Sequence, residues 1–365
     1  MNIDKCICVE DFERLAAKKL SKKVSEFISI GATNEQTLKE NCSAFKSWRF
    51  QPKVLRDVSQ IDTSSFILGS KIAFPVCIAP FGLHKMASKN GEIDTARAAE
   101  SVGTGFVMGT WSSCTIEQIA EKVPKCLRWF QLYVVNDRDV VKTLIQRAEQ
   151  NGYCAIVVTV DVMAVGKRFT VLRNELSWRQ DLPPGNFEDG YLNRNSENDK
   201  DVDLNIDQTI NWDDIDWIRS ITNLPIIIKG IITVEMALEA VDHEVDGIIV
   251  SNHGGRCLDS TLPAIHALPK IMKSVKGRCE IYLDSGIRNG ADVVKAIALG
   301  AKAVFVGRPI LWGLTCAGEE GARRVLEILR DEFETTMKLL GVVSIADLQS
   351  NRDLVVYKSK LLSQL

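Results

Sequence analysis

Short apolar runs alternate from residue 74 onward with stretches in which apolar residues recur at helical spacing. The apolar runs predict buried strands at residues 74–80, 105–110, 127–134, 154–161, 224–231, 247–252, 280–286 and 303–308. The stretches between them predict helices, for example at residues 92–102, 137–150, 233–244, 263–275 and 290–299. Eight strand-and-helix units in series indicate an α/β fold of the (β/α)8, or TIM barrel, type. A doubly wound sheet is the alternative, but no G-x-G-x-x-G motif follows the first strand.

The segments outside this region predict additions to the barrel. Residues 8–31 have an amphipathic pattern that predicts two helices, and residues 48–72 alternate like short strands and a hairpin with Gly69-Ser70 as its turn. Residues 318–340 predict a long amphipathic helix, and a shorter one follows near 344–348. We therefore expect a single domain made of an N-terminal extension (1–72), a barrel (73–315) and C-terminal helices (316–365).

One connection is much longer than the others. Residues 169–209 include Pro183-Pro184-Gly185-Asn186 and a polar run at 193–201, and they show no apolar period. A loop of this length inside a compact domain is typically either a lid over a site or a solvated insertion. Because the loop follows the fourth strand at the active end of the predicted barrel, both interpretations stay open.

Composition and charge narrow the range of partners and compartments. A net charge of −2 gives no reason to expect nucleic acid or an anionic membrane as a partner, and no apolar run reaches membrane-spanning length. Ten cysteines at scattered spacings are typical of reduced thiols in an intracellular protein. Cys6 and Cys8 form a lone C-x-C, so no metal site is expected. The residues Ser363-Gln364-Leu365 resemble the peroxisomal S-K-L signal without its basic middle residue, which suggests a peroxisomal protein or, failing that, a cytoplasmic one.

Polar residues collect where the predicted strands end, which is the end at which such barrels hold their active sites. They are Trp111, Ser112, Gln131, Tyr133, Thr159, Asp161, Lys229, Ser251, His253, Asp284 and Arg308. His253 offers a base near neutral pH, and Arg256 offers a donor fork that fits a carboxylate. Together they indicate a site that binds an organic acid and deprotonates it, although a core histidine beside a surface arginine is the alternative.

The last two strands end in glycines and arginines that are typical of a phosphate site. Gly286 and Arg288 follow the seventh strand, and Gly307 and Arg308 follow the eighth. Backbone N–H groups of such loops commonly bind a phosphate, and the arginines add charged donors. We therefore expect a phosphorylated cofactor, the alternative being two surface arginines at turns.

These residues lie in motifs that resemble the FMN-dependent 2-hydroxy acid oxidases, the glycolate oxidase family. The motifs are Gln131-Leu132-Tyr133, Thr159-Val160-Asp161, Lys229-Gly230, Ser251-Asn252-His253-Gly254-Gly255-Arg256 and Leu283-Asp284-Ser285-Gly286-Ile287-Arg288. The similarity covers nearly the whole chain, and Leu127-Arg128-Trp129-Phe130 with Pro309-Ile310-Leu311-Trp312-Gly313-Leu314 is closest to the long-chain branch. The resemblance implies FMN as cofactor, oxidation of an (S)-2-hydroxy acid by O2 with release of hydrogen peroxide, and a homotetramer.

The resemblance also implies a role for each site residue. The flavin would be bound by Ala79, Pro80, Phe81, Gly82, Ser112, Gln131, Thr159, Lys229, Ser251, His253, Gly254, Asp284, Ser285, Gly286, Arg288, Gly307 and Arg308. His253 would be the base and Asp161 would orient it. The substrate would be held by Arg256, Arg168, Tyr133, Trp111 and Phe27.

Several residues depart from the family pattern. Phe27 stands where short-chain members have a carboxylate-binding tyrosine and favours a larger acid, whereas Trp111 matches the short-chain enzymes and favours a smaller one. Phe81 and Gly82 replace threonine and alanine, the glycine opening space over the flavin; Ser285 replaces a glycine, and Cys257 replaces a common glutamine. Three alternatives stay open: a dehydrogenase with a protein or quinone acceptor, an aldolase that uses Lys229 as a Schiff base, and a flavin-binding protein without turnover. No haem domain is appended, which counts against the dehydrogenase.

Overall fold

The computed structural model describes residues 3–174, 184–187, 205–351 and 353–359. The polar run at 193–201 and the tripeptide 363–365 lie outside the described residues, as does most of the long connection after the fourth barrel strand. Within the described part of the chain, every helix is too short or too polar to cross a membrane.

The N-terminal region forms three helices and three short strands. They are α1 (Val9–Lys19), α2 (Lys22–Ser29), α3 (Gln36–Ala44), β1 (Trp48–Phe50), β2 (Ser65–Ile67) and β3 (Ser70–Ile72). The two helices expected before residue 31 are confirmed. The hairpin is confirmed too, but its turn is Leu68-Gly69, one residue earlier than predicted, because both residues have positive φ and Ile67 pairs with Ser70.

The sequence pattern did not predict α3, because the contacts that fix its first turn come from distant residues. Asp259 accepts hydrogen bonds from the backbone N–H groups of Asn34, Gln36 and Thr37 at the start of this helix. The Thr33 hydroxyl donates a fourth hydrogen bond to the same carboxylate. Desolvation alone would raise the pKa of Asp259, but these hydrogen bonds outweigh it and hold that pKa well below its usual value. A helix whose cap lies more than 200 residues away leaves no local signature.

The predicted barrel is confirmed. Eight parallel strands close on each other in chain order, and β11 pairs with β4 to complete the circle. The strands are β4 (Val76–Ile78), β5 (Gly105–Met108), β6 (Leu127–Leu132), β7 (Ile156–Thr159), β8 (Ile226–Ile231), β9 (Gly247–Val250), β10 (Glu280–Leu283) and β11 (Val304–Val306). The helices are α4 (Glu92–Ser101), α5 (Ile116–Lys122), α6 (Arg138–Gln150), α7 (Phe169–Arg173), α8 (Trp212–Ile221), α9 (Val234–Asp242), α10 (Ala264–Val275) and α11 (Gly290–Ala298).

The C-terminal region covers the outside of the barrel. The predicted long helix is α12 (Arg308–Leu340), which is interrupted at Ala317 and Gly318, and α13 (Ile345–Ser350) follows it. A strand absent from the sequence prediction, β12 (Val355–Tyr357), pairs antiparallel with β1 and so joins the C-terminal region to the N-terminal extension. Its three residues are too few to show a period.

Each barrel strand contributes one buried side chain to an apolar layer in the interior of the barrel. These residues are Cys77, Val107, Trp129, Val157, Ile227, Ile249, Tyr282 and Phe305. The three aromatic rings lie in mutual contact, with centroids 5.6–5.7 Å apart. Because side chains in a strand alternate between faces, the next inward position on each strand lies two residues further on, at the carboxyl end of the barrel. That layer carries the candidate site.

Candidate active site

The upper inward layer of the barrel is mostly polar, in contrast to the apolar layer below it. It consists of Ala79, Gly109, Gln131, Thr159, Lys229, Ser251, Asp284 and Gly307. Gln131, Thr159, Lys229, Ser251 and Asp284 are all buried. Buried polar groups are costly unless they bind one another or a ligand, so this layer is a candidate site on physical grounds.

Lys229 is the centre of charge in this layer. Its ammonium lies 3.5 Å from a carboxylate oxygen of Asp284 and donates to Ser251 Oγ at 3.2 Å. Burial disfavours its charge, but Asp284 and Asp161 outweigh that effect and raise the pKa of Lys229. The lysine is therefore a fixed cation, whereas a Schiff-base lysine needs an amine that is free of its proton.

Gln131 and Thr159 form a second pair on β6 and at the end of β7, the two strands that precede the strand of Lys229 in the barrel. Gln131 Nε2 donates to Thr159 Oγ1 at 2.9 Å, and Gln131 Oε1 accepts from the backbone N–H of Thr110 at 3.2 Å. Beside them, Ser112 Oγ is fully buried and has no hydrogen-bond partner among the described residues. An unsatisfied buried hydroxyl at a cleft is a place where a polar ligand atom fits.

His253 stands on an unusual turn directly after β9. His253, Gly254 and Gly255 all have positive φ, of 57°, 64° and 73°. A left-handed conformation costs a histidine roughly 1–3 kcal/mol and persists where the surroundings impose it, often at functional sites. The turn is held by Ser251 Oγ, which accepts from the His253 N–H, and by the Asn252 side chain, which accepts from the Gly255 N–H.

The ring of His253 is held between a carboxylate and a phenol. Nδ1 lies 2.8 Å from Asp161 Oδ1, and Nε2 lies 3.4 Å from the Tyr133 hydroxyl. Burial alone would lower the pKa of His253, but the neighbouring Cys257 and Asp161 outweigh it and raise that pKa to about 9. Burial also raises the pKa of Tyr133, which therefore keeps its proton. A carboxylate behind a histidine fixes its tautomer and stabilises the imidazolium.

Arg256 is buried without an acidic partner among the described residues. Its Nη1 donates to the backbone carbonyls of Phe27, Ile28 and Ile30 at 2.9, 3.3 and 3.1 Å. Its guanidinium carbon lies 5.2 Å from the ring centre of Phe27 and 5.4 Å from that of Phe81. These contacts fix the group while its Nε and Nη2 make no hydrogen bond to described residues, so the side-on donor pair remains for a carboxylate.

Two further arginines increase the positive charge around Arg256. Burial lowers the pKa of Arg256, and the charges of Arg168 and Arg308 lower it further. Arg168 is half-buried and donates from Nε to the Arg256 carbonyl at 3.4 Å. Buried cations that repel each other gain from a bound anion, because it offsets both the burial cost and the repulsion.

Arg308 is also tied to the N-terminal helices. It donates from Nε to Ile28 O, from Nη1 to Gly254 O and from Nη2 to Ile30 O, at 3.0–3.1 Å. Each terminal nitrogen keeps one further N–H for another acceptor. Sequence reasoning missed these backbone carbonyls as site groups, since a carbonyl carries no residue-type signature.

The two glycines of the predicted phosphate loops differ in the space around them. Gly286 has φ 90°, and a Cβ there would stand 2.2 Å from Asn41 O in α3. Gly307 has room, since a Cβ would meet only Ala79 Cβ at 3.8 Å. Arg288 lies with its guanidinium 5.1 Å from the Trp312 ring. Ser285 Oγ donates to Asp284 and accepts from the Gly254 N–H, so its hydroxyl links the loop after β10 to the loop after β9.

The end of β4 continues through Ala79 and Pro80 to Phe81 and Gly82. The space that Gly82 leaves is not open as predicted, because a Cβ there would stand 2.9 Å from the carbonyl oxygen of Trp111. The Phe81 ring meets the Phe27 ring edge-on at 6.2 Å. Backbone atoms and aromatic rings therefore fill the space between the segments that follow β4 and β5, and these segments form one wall of the site.

A described piece of the long connection packs on this wall, and sequence reasoning did not identify it. Phe187 stacks on Trp111 with ring centres 4.6 Å apart. Asn186 is buried and bonds to Thr110 O and to the Ile116 N–H. The hydrophobic character of Phe187 within a polar stretch was the available signal.

Comparison with known proteins agrees with this geometry. Residues 16–355 match the model of a family described as FMN-dependent dehydrogenase. Human 2-hydroxyacid oxidase 2 is 46% identical over 356 residues, covering 96% of this chain and 98% of that protein. Glycolate oxidase 3 of Arabidopsis thaliana is 44% identical over 345 residues, covering 93% and 94%. A crystal structure of mandelate oxidase is 37% identical and superposes with a TM-score of 0.88 over 94% of this chain and 97% of that one.

Proposed function

Because this chain belongs to the FMN-dependent dehydrogenase family, we propose that it oxidises an (S)-2-hydroxy acid to the 2-oxo acid and passes the electrons to O2, giving hydrogen peroxide. One observation carries the proposal more than any other. The Tyr133–His253–Asp161 hydrogen-bond chain stands beside the buried Arg256, whose Nε and Nη2 have no partner among the described residues. A base and a carboxylate-binding cation side by side suit a 2-hydroxy acid.

The residues of the upper layer fit FMN. The unsatisfied Ser112 hydroxyl and the Gln131 amide offer polar partners for an isoalloxazine edge, and Lys229 offers a fixed positive charge. At the other end, the roomy Gly307 loop and the free N–H groups of Arg308 suit a phosphate. When bound, FMN supplies the acceptor for the two electrons that leave the substrate.

Arg256 and Arg168 would bind the substrate carboxylate. The three carbonyls that accept from Arg256 Nη1 hold the guanidinium plane, so Nε and Nη2 form a bidentate site without further ordering. The carboxylate also relieves the repulsion between the two arginines. Under this proposal the N-terminal extension, the barrel and the C-terminal helices act as one domain, because α2 supplies part of the arginine site.

His253 would accept a proton from the substrate at Nε2. Asp161 Oδ1 accepts from the Nδ1–H, which directs the Nε2 lone pair into the site and stabilises the imidazolium that forms. Tyr133, which retains its proton, would donate to the substrate hydroxyl oxygen. Lys229 would stabilise negative charge that develops on the side of the cofactor. This fixed cation also counts against the aldolase alternative.

Anaerobic mixing tests the proposal. We expect the yellow holoprotein to bleach with glycolate, lactate or a medium-chain 2-hydroxy acid, and to regain its colour with release of peroxide when air is admitted. A flavin that bleaches but is not restored by air would favour the dehydrogenase alternative. A flavin that no hydroxy acid bleaches would refute turnover, and failure to bind FMN would refute the assignment of the upper layer.

Three finer features belong to the same proposal. The acid that reduces the flavin fastest would decide between the larger pocket that Phe27 favours and the smaller one that Trp111 favours. A homotetramer is proposed from the family resemblance, and sedimentation of the holoprotein would test it. Peroxisomal import through Ser363-Gln364-Leu365 is proposed from sequence alone, and deleting that tripeptide in a tagged protein would test it.

A further inference from the structure

Cys257 stands next to the proposed base without a role in the proposed reaction. One potential ligand atom from each of Asp161, His253 and Cys257 lies within 4.8 Å of the other two, and all three residues are half-buried. Among the described residues, Cys257 forms no disulfide. The turn that positions His253 and the strand that positions Asp161 therefore also place a thiol at the mouth of the site.

Thiolate, imidazole and carboxylate are the three side-chain ligands that Zn²⁺ takes in proteins. Bonds of about 2.0–2.3 Å to a tetrahedral ion place the ligand atoms roughly 3.3–3.8 Å apart. The three atoms here are at most 4.8 Å apart, so side-chain rotations that bring them closer by about 1 Å would complete the geometry. Three protein ligands leave the fourth position to water.

A second observation points to a cation at this place. Asp161 Oδ1 bonds to the His253 ring at 2.8 Å, but Oδ2 is buried and has no hydrogen-bond partner among the described residues. A buried carboxylate oxygen without a donor is a rare and costly arrangement that a metal ion satisfies. The negative charges of the carboxylate and the thiolate together balance the two positive charges of the ion. The complex is therefore neutral and does not repel the nearby Arg168 and Arg256.

We propose that Asp161, His253 and Cys257 form an inhibitory binding site for a thiophilic divalent cation, with Zn²⁺ as the probe. The consequence for activity rests on the proposed function, in which His253 accepts the substrate proton. Coordination of either ring nitrogen ends that role, because Nε2 is the proton acceptor and Nδ1 is the atom that Asp161 orients. Removing the ion by chelation would restore the base.

Metal titration of the holoenzyme tests the proposal, with Cys257→Ser as the diagnostic variant and Cys154→Ser as the matched control. Cys154 is an exposed thiol that follows β6 and α6 in the chain and lies outside the cluster. We expect Zn²⁺ to inhibit the parent enzyme and the control equally, with recovery after EDTA. Cys257→Ser, compared with its own metal-free turnover, should lose Zn²⁺ affinity by at least about 100-fold, since even outer-shell partners contribute about 10–100-fold.

Co²⁺ gives a readout that does not depend on turnover. Its d–d bands lie at longer wavelengths than flavin absorption, and a tetrahedral site with a thiolate makes them intense. We expect these bands in the parent holoprotein and not in Cys257→Ser. The same bands or the same Zn²⁺ inhibition in Cys257→Ser, or no inhibition of the parent enzyme, would overturn the site. Cys257-dependent bands in a protein that oxidises no hydroxy acid would support the metal site and refute the proposed function instead.

Discussion

Phe27 offers the sharpest test of how the substrate carboxylate is bound. In Phe27→Tyr the ring that packs 5.2 Å from the Arg256 guanidinium is kept, and a hydroxyl is added beside the proposed carboxylate position. The three carbonyls that fix Arg256 belong to the backbone and are unaffected by the substitution. The variant therefore adds one hydrogen-bond donor and leaves the Arg256 side chain in place.

The expected size of the effect follows from the burial of this position. A hydrogen bond to a charged group contributes about 1.5–3 kcal/mol, and each 1.4 kcal/mol is tenfold in affinity. Because Phe27 is only half-buried, water competes for the new hydroxyl, and the lower end of that range applies. We expect glycolate to bind about tenfold more tightly, while a medium-chain acid, which needs the apolar ring, gains less.

Phe27→Leu is the matched control, since it removes the ring and adds no donor. Losing one cation–π contact, about 0.5–2 kcal/mol, should weaken binding of every acid by roughly 2- to 30-fold. The assay is the dissociation constant from the rate of anaerobic flavin reduction at increasing acid concentration. Unchanged or weaker glycolate binding in Phe27→Tyr would refute the carboxylate contact, and parent-like binding in Phe27→Leu would refute the role of the ring.

Further outcomes are expected at other points of the site. His253→Ala should retain FMN but reduce it about 10²–10⁴-fold more slowly, and retained turnover would reject the base. His253 acts in its neutral form and its pKa is raised to about 9, so kcat/KM should rise with pH toward that value. Asp161→Asn removes one cause of the raised pKa and should move this rise to lower pH. A pH profile of kcat/KM for both proteins measures the difference. Ser112→Ala should weaken FMN binding by roughly 1 kcal/mol, about fivefold in a fluorescence titration of the apoprotein, without lowering the apoprotein melting temperature, because that hydroxyl has no partner among the described residues. Gly286→Ala forces a Cβ to 2.2 Å from Asn41 O at φ 90°, so a fall in melting temperature and in FMN affinity is expected, and unchanged values would contradict the packing.

Local patterns predicted the barrel because its strands and helices repeat. The apolar runs located all eight strands, although each prediction extended beyond the observed strand at one or both ends. Strand ends such as 251–252 and 284–286 lie in the turns that carry the site, where polar residues replace the apolar run. The periodic part of the fold was thus accessible from sequence, while α3 and β12, which depend on distant partners, were not.

The residue types of the site were predicted better than its geometry. His253, Asp161 and Tyr133 are named by motif, and the structure brings them into one hydrogen-bond chain. The surroundings of Arg256 could not be predicted, because its partners are backbone carbonyls of α2 and the residues after it. Motifs specify side chains, whereas contacts made by the backbone depend on how separate elements pack.

The carbonyl oxygen of Ile28 accepts from both Arg256 and Arg308, which lie 228 and 280 residues further along the chain. During synthesis, at about 5–20 residues per second, this carbonyl leaves the ribosome roughly 15–60 s before Arg308 does. The first barrel strand likewise waits for the last one to close the sheet. The growing chain therefore passes through most of its synthesis without an ordered arginine cluster. A chain that terminates before residue 256 contains the Ile28 carbonyl but neither of the arginines that donate to it.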